Sequence, residues 1–270
     1  MENWQATSLT NLPICNWPST GSIICSPHIF MPDGAKPKHN LAFYELGGVF
    51  FIQWMAMSAW HVPLTLVLRG HGYVQIQPYA FAAAALATFI SPLFFGAMAD
   101  RHVAPARVLR WLAIATACAM SLCSYAIQQE WNQWLVLMLI QLLALCSSPT
   151  TSISSALVMA AVTDPRREFG PIRAMGTIGW MAGCWLISLI NADASTSSGF
   201  TGAGLWLLLA GFAFFLPEVE PPNSTEKPTW RERLGLDALT LLWRKEHRVI
   251  FLTTSLLCIP LAAFYPFAPS

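Results

Sequence analysis

The sequence contains little charge. Asp, Glu, Lys and Arg make up 11% of its 270 residues, whereas a soluble globular domain carries roughly 25%. Because 55% of the residues are hydrophobic, so few charges cannot cover the outer surface of the folded chain. That surface must face an apolar phase, and we expect a lipid bilayer. The net charge of +1 provides no general attraction to nucleic acid, so we expect no nucleic-acid partner.

Sequence patterns of enzymes and metal sites are also missing. The chain has no HExxH, no GxSxG and no paired carboxylates inside an apolar run. Its seven cysteines show no CxxC or Cys/His metal spacing. Five of them lie in apolar runs, where a thiol packs as a small hydrophobic group: Cys118, Cys123, Cys146, Cys184 and Cys258. We predict neither an enzyme nor a bound metal or cofactor.

The first 42 residues lack both a long apolar run and the basic segment that opens a secretory signal peptide. They contain five prolines and many Ser, Thr and Asn residues. This composition predicts a disordered tail.

Long apolar runs separated by short polar gaps make up the rest of the chain. About 20 apolar residues span a bilayer as an α-helix. Seven candidate spans follow: 44–66, 74–98, 108–127, 133–160, 172–190, 200–216 and 248–267. The longest gap, 217–247, is rich in proline and basic residues and could contain a short amphipathic helix around 230–243.

The positions of Lys and Arg predict the orientation of these spans. If the N-terminus is cytoplasmic, 14 of the 15 basic residues lie on the inner side, and only Arg69 lies outside. This distribution follows the positive-inside rule. We therefore predict a multi-pass protein of the cell (inner) membrane with a cytoplasmic N-terminus.

The layout is six spans, a long basic cytoplasmic loop and one more span. Many transporters consist of two six-helix halves around a central site. We predict a tail over 1–42, a six-helix half over 43–216, an inter-half loop over 217–247 and a seventh span within 248–270. On this interpretation the chain is one half plus the first helix of the next, as a truncated product or gene fragment would be.

The polar loop after the second span contains Gly96, Asp100 and Arg101. An acid and a base at a helix end can pair with each other and cap a neighbouring helix, and such a loop can hold alternative states of a moving bundle. It can equally be a plain basic loop on the inner side. The segment resembles the G-x-x-x-D-R loop of the major facilitator superfamily.

The fifth span contains a second pattern. On a helix, Arg173, Thr177 and Trp180 fall within roughly 60° of one another. Gly176, Gly179 and Gly183 form an adjoining stripe that permits close packing of a partner helix. The first stripe offers a cation, a hydroxyl and an aromatic face, which suit a polar solute with a ring. Alternatively, Arg173 is an anchor at the inner surface and Trp180 is a core residue.

Two polar groups on the first span and one cluster on the fourth complete the candidates. His61 and Gln53 lie roughly on one helical face, and His61 could carry a proton near neutral pH. It could also be an inward histidine satisfied by a neighbour. A hydroxyl-rich patch over 147–155 surrounds Pro149, and it either packs as a kinked helix or lines a cavity.

Phe169–Trp180 resembles the F-P-x-I-R-x-W-G-T-I-G-[WF] segment of the nucleoside:proton symporter family, within the major facilitator superfamily. The first span from Phe50 to Leu64, and the second span with its loop, resemble the same family. The resemblance covers residues 45–267. It implies an all-α integral membrane fold: the N-terminal six-helix bundle of a major facilitator, built as 3+3 inverted repeats, plus a seventh transmembrane helix.

The resemblance also implies a function and a site. The function would be proton-coupled uptake of nucleosides by alternating access, with nucleoside, protons and the bilayer as partners. Arg173, Thr177 and Trp180 would line the solute site. Gln53 and Trp60 of the first span join them as candidates, and His61 is the candidate for proton coupling. The alternatives are a sugar or other small polar metabolite as the solute, or a seven-helix receptor or scaffold.

Overall fold

The computed structural model describes residues 39–99, 104–162 and 164–216, together with residues 248, 249, 252, 253 and 256. Within these stretches, side chains are described from residue 43 to 88, from 104 to 162, at 164 and from 167 to 216. All regular structure in this part of the chain is helical, and it contains no β-strand. The all-α prediction is confirmed.

The helices are α1 His39–His61, α2 Leu64–Gly70, α3 Gln77–Ala99, α4 Pro105–Gln128, α5 Gln133–Ala161, α6 Pro165–Leu189 and α7 Ser197–Phe212. A 3-10 turn, Val74–Ile76, precedes α3. Among the described residues, four segments are long and apolar enough to cross a membrane: Phe43–Gly70, Pro105–Gln128, Gln133–Ala161 and Arg167–Leu189. The segment Ser197–Phe212 is a shorter apolar helix. The predicted tail up to residue 38, the loop 217–247 and most of the span 248–267 lie outside the described residues.

The first predicted span is two helices rather than one. Helix α1 ends at His61 and α2 begins at Leu64, with Pro63 between them. Proline has no N–H to donate to the preceding turn, and its ring clashes with the carbonyl four residues before it. The chain restarts at once, because the Val67 N–H donates to the Pro63 carbonyl at 2.9 Å. The predicted span over 44–66 is therefore interrupted at Pro63, although Phe43–Gly70 remains one segment long and apolar enough to cross a membrane.

Helix α6 begins seven residues before its predicted span. Pro165 occupies its first position, where a missing N–H costs nothing and the fixed φ favours the helix. Glu168 lies in the first turn, where a negative charge is favourable to the helix dipole. Arg173 consequently lies in the third turn of α6, inside the helix rather than at its first residue.

The helices pack in a pattern that repeats once. Helix α1 packs against α6 and α7, α5 packs against α3 and α4, and α4 packs against α7. If α1–α2, α3 and α4 are exchanged for α5, α6 and α7, this set of contacts maps onto itself. Each repeat contains three spans, an odd number, so the second repeat has the opposite orientation in the membrane. The packing therefore supports the predicted 3+3 inverted repeats.

One further contact joins two of the connecting segments. The Tyr73 hydroxyl, just before the 3-10 turn, donates to the Trp131 carbonyl between α4 and α5 at 2.6 Å. Tyr73 is 6% exposed, so this bond is protected from water. It joins the loop before α3 to the loop before α5, so these two loops lie on the same side of the bundle.

Candidate solute-binding site

Helices α1 and α6 approach closely because glycines on α6 face the backbone of α1. A Cβ atom added to Gly179 would overlap the Phe51 carbonyl, and one added to Gly183 would overlap the Ser58 hydroxyl. A Cβ atom at Gly176 would lie 2.8 Å from Cδ1 of Trp54. The predicted glycine stripe thus has a definite partner, the face of α1 that contains Trp54. This close approach places side chains of the two helices in direct contact.

A column of four side chains follows the seam between α1 and α6. The Arg173 guanidinium carbon lies 4.0 Å from the ring centroid of Trp54. The Trp54 ring lies 5.9 Å from that of Trp180, and the Trp180 ring lies 6.4 Å from that of His61. All four side chains are partly exposed. The structure therefore brings Arg173, Trp180 and His61, each a predicted site residue, into one row.

The guanidinium of Arg173 is held by aromatic rings alone in the described part of the chain. Besides Trp54, the ring of Phe50 lies 6.0 Å from its guanidinium carbon. Among the described residues, no hydrogen bond or ion pair engages its N–H groups. Thr177 is exposed one turn further along α6. A cation with unused donors and an exposed hydroxyl are thus available on one side of the seam.

Trp54 is the member of the column that the sequence analysis missed. It lies between Arg173 and Trp180, two of the three α6 residues that the motif indicated, although it belongs to the other helix. The sequence does contain a signal for it: Phe50, Trp54, Met57 and His61 recur at helical spacing on one face of α1. The α1 residues nearest the α6 glycines are instead Phe51, Trp54, Met55 and Ser58. Trp54 lies at the edge shared by the two faces, so the periodicity of α1 is only a partial signal for it.

Gln53, a predicted solute-binding residue, lies in a buried polar cluster between α1 and α5. Its amide nitrogen donates to the Thr150 hydroxyl at 2.9 Å, and its amide oxygen accepts from the Ser154 hydroxyl at 2.7 Å. All three residues are 0% exposed. Thr150 also donates to the Ser147 carbonyl at 2.6 Å. Both ends of the Gln53 amide are therefore engaged within the protein, and this part of the hydroxyl-rich patch packs rather than facing open space.

Trp60 and His61 both face a small internal cavity. Its volume is about 30 Å³, and its walls include Trp60, His61, Ser147 and Trp206. Trp60 is 5% exposed and lies in the bundle interior, away from the Arg173 end of the column. The Nδ1 atom of His61 lies 2.9 Å from the Met57 carbonyl. A carbonyl only accepts, so Nδ1 carries the hydrogen and Nε2 remains the basic nitrogen of the ring.

The predicted conformational loop is described only in part. Gly96 lies within α3, whereas Asp100 and Arg101 lie outside the described residues. The pairing predicted for these two side chains stays a prediction.

These features match a known family over most of the chain. A family model described as Nucleoside H+ symporter matches residues 43–270. The chain belongs to this family. The resemblance first found in the residues of α6 is thereby confirmed.

Several relatives in the family carry transport names. YegT of Escherichia coli (strain K12), provisionally named a nucleoside transporter, is 36% identical over 232 residues, which are 83% of this chain and 53% of YegT. The xanthosine permease of the same organism is 24% identical over 213 residues, covering 77% of this chain and 50% of the permease. The chain thus spans about half the length of the curated relatives it matches. None of these names describes an enzyme.

Solved structures show the same fold. The crystal structure of a mutant of the nucleoside transporter NupG superposes with a TM-score of 0.71 at 22% identity, covering 84% of this chain and 57% of that chain. A second NupG structure gives a TM-score of 0.67, again at 22% identity. The nucleoside permease NupG of E. coli is 32% identical over a shorter stretch of 106 residues. The chain is therefore a multi-pass membrane protein with the major facilitator fold.

Proposed function

We propose that this protein serves proton-coupled uptake of nucleosides by alternating access. The observation that carries the proposal is the Arg173–Trp54–Trp180–His61 column, in which guanidinium donors that no described residue engages lie beside the indole ring of Trp54. Membership of the nucleoside H+ symporter family supports it. Because the chain spans 53% of YegT, the proposal concerns the activity of a whole transporter that contains this half.

The α6 stripe supplies groups that match a nucleoside. The planar guanidinium of Arg173 donates to ribose hydroxyls or to carbonyl oxygens of the base. The exposed hydroxyl of Thr177 lies one turn away on the same side of the helix and can donate or accept a further bond. Trp180 offers an aromatic surface to the base.

The α1 residues support the site in different ways. Gln53 is engaged with Thr150 and Ser154, so a direct bond to solute requires it to exchange one of these partners. Trp60 shapes the bundle interior behind the column. We propose that both act on solute binding mainly by fixing the position of α1.

His61 is the proposed proton carrier. Its Nε2 lone pair is available once Nδ1 donates to Met57, and histidine changes charge near neutral pH. Its ring is in contact range of Trp180, so a proton on His61 lies next to the wall of the solute site. A proton at this position can influence the same conformational equilibrium as the solute, which is what symport requires.

The remaining proposals concern topology. We place residues 1–42 in the cytoplasm, the six-helix half over 43–216 in the inner membrane, the loop 217–247 on the cytoplasmic side and a seventh span within 248–270. Gly96, Asp100 and Arg101 would form the loop that holds alternative states of the bundle. The positive-inside distribution of Lys and Arg supports this arrangement.

The test replaces Arg173 by lysine. The chain is joined to the remaining length of YegT, and uptake of labelled nucleoside is measured in cells at matched expression. If the Arg173 fork binds solute, lysine keeps the charge but loses the planar donors. A charge-assisted bond is worth roughly 1.5–3 kcal/mol, so kcat/KM should fall roughly ten- to hundredfold.

Arg167→Lys is the matched control, because the side chain of Arg167 is 88% exposed at the start of α6. It should retain parental uptake. Parental uptake by the Arg173→Lys form would make Arg173 an anchor and remove it from the site. Uptake of a sugar but not of nucleoside by the parent would leave the fold intact and refute the substrate.

A further inference from the structure

Trp54, from the other helix, lies between Arg173 and Trp180, which are two of the three α6 residues assigned to the solute. The ring centroid of Trp54 lies 4.0 Å from the guanidinium carbon of Arg173, and the Trp54 ring lies 5.9 Å from that of Trp180. A solute bound by both α6 residues therefore depends on where Trp54 holds them. The effect of this contact on solute binding rests on the proposed function, whereas the contact between Trp54 and Arg173 does not depend on any solute.

The contact with Arg173 is a cation–π arrangement. Its distance of 4.0 Å from guanidinium carbon to ring centroid lies well inside the range of about 6 Å over which such pairs attract. No described carboxylate competes for the guanidinium. An unpaired cation inside a membrane protein is costly unless something stabilises it. The ring of Trp54 supplies that stabilisation without using any N–H donor of Arg173.

The position of Trp54 is fixed by backbone geometry. The absent side chain of Gly176 leaves space for the indole, since a Cβ atom there would lie 2.8 Å from Cδ1 and 3.1 Å from Nε1 of Trp54. Gly176 is three residues after Arg173 on the same helix. One turn of α6 therefore supplies both the glycine that leaves space for the indole and the arginine that packs on the indole face.

We propose that Trp54 is a positioning residue for Arg173: its indole face holds the guanidinium at the seam between α1 and α6, with the N–H donors left free for the solute, in a slot that Gly176 provides. The indole does not itself bond the solute. Loss of the π-face lets the flexible arginine side chain leave its place, so solute affinity falls while the capacity for transport remains.

The first experiment tests the contact on the purified 270-residue chain. Thermal unfolding in detergent is measured for Trp54→Leu, Arg173→Ala and the double variant. Residues that interact are non-additive in such a cycle. We expect the shifts in Tm to fall short of additivity by roughly 1–4 °C. Additive shifts would mean that Trp54 does not hold Arg173, which would overturn the proposal.

The second experiment measures uptake of labelled nucleoside by the chain joined to the remaining length of YegT. Trp54→Leu should raise KM about two- to thirtyfold with kcat little changed, as expected for loss of a cation–π contact. Trp54→Phe keeps an aromatic face and should recover most of the affinity. In an Arg173→Ala background, Trp54→Leu should raise KM no further, which a merely structural role would not predict.

Trp111→Leu provides the matched control, because Trp111 is 66% exposed on α4 and belongs to neither helix of the seam. Its KM should equal that of the parent. A parental KM for Trp54→Leu, or an equal rise in KM with and without Arg173, would overturn the proposal. If the parent moves no nucleoside, the proposed function fails, and the stability cycle alone decides whether Trp54 positions Arg173.

Discussion

At the scale of single residues, the hydrogen bonds of Gln53 distinguish between two possible roles for its side chain. A polar side chain inside an apolar helix is expected to bind either a solute or another part of the protein. Gln53 is 0% exposed and has hydrogen-bond partners at both ends of its amide. Removing Gln53 takes away the acceptor of the buried Ser154 hydroxyl, while Thr150 keeps its bond to the Ser147 carbonyl. A buried donor that loses its partner costs more than the bond itself contributes.

We therefore expect Gln53→Leu to destabilise the protein by about 0.5–2 kcal/mol, since interhelical polar bonds in membranes are of modest strength. Thermal unfolding in detergent, followed by the loss of the helical circular dichroism signal, measures this. The matched control is Gln141→Leu on α5, because the amide nitrogen of Gln141 is buried with no partner among the described residues. That variant should be neutral or slightly stabilised.

A triple variant sharpens the result. Gln53→Leu combined with Thr150→Val and Ser154→Ala removes all three polar groups, so most of the lost stability should return. If Gln53→Leu proves as stable as the Gln141 variant, the cluster contributes nothing to packing. Gln53 would then return to the list of residues available for solute.

Part of the site could be predicted at this scale and part could not. The face shared by Arg173, Thr177 and Trp180 follows from helical periodicity, which needs only the spacing of the residues. The contact of Arg173 with Trp54 joins two helices, and no local pattern states which faces of two apolar helices meet. The engagement of Gln53 with Thr150 and Ser154 was hidden for the same reason.

At the scale of helices, glycines decide how close two elements come. In a membrane, helices associate through close van der Waals packing rather than a hydrophobic driving force. Gly179 lies directly against the backbone of Phe51, so α1 and α6 are in contact there without an intervening side chain. The stripe was predicted from the sequence, and the structure supplies its partner.

We predict opposite effects for two equal substitutions. Gly179→Ala forces α1 away from α6 and should lower stability by about 1–3 kcal/mol, the usual range for overpacking. Gly204→Ala on α7 places its Cβ where no atom lies within 4 Å, and it should stabilise by up to roughly 1 kcal/mol through helix propensity. The comparison is made by thermal unfolding in one detergent. Similar changes for both variants would contradict a close seam between α1 and α6.

Helix boundaries show where sequence patterns are incomplete. Hydropathy placed the first span over 44–66 but did not register that Pro63 divides it, although the rule for proline was available. For α6, hydropathy marks the apolar part of the helix, whereas the polar turns from Pro165 onward extend it beyond the apolar stretch. The length of an apolar stretch predicts which part of a helix lies in the membrane. Signals such as a proline at the first helical position predict where the helix itself begins.

At the scale of the whole molecule, the candidate spans and the asymmetry of charge follow from the sequence, whereas the helix pairing does not. Apolar side chains surround most of each helix, so their sequence does not specify which helices are neighbours. The observed pairing of α1 with α6 and of α3 with α5 relates the two repeats. Given that relation and an odd number of spans in each repeat, the orientation of the first helix fixes the orientation of all the others.

The orientation can therefore be tested at two loops. Ala194 lies between α6 and α7, and Ala104 lies immediately before α4. With a cytoplasmic N-terminus, the chain crosses the membrane an odd number of times before Ala194 and an even number before Ala104.

We expect a membrane-impermeant maleimide to label Ala194→Cys in intact cells and Ala104→Cys only after permeabilisation, with the unmodified chain as the control for its own cysteines. Because 14 of 15 basic residues depend on this orientation to lie inside, the reverse labelling pattern would refute the charge argument while leaving the number of spans between the two sites unchanged. Labelling of both sites in intact cells would refute the count alone.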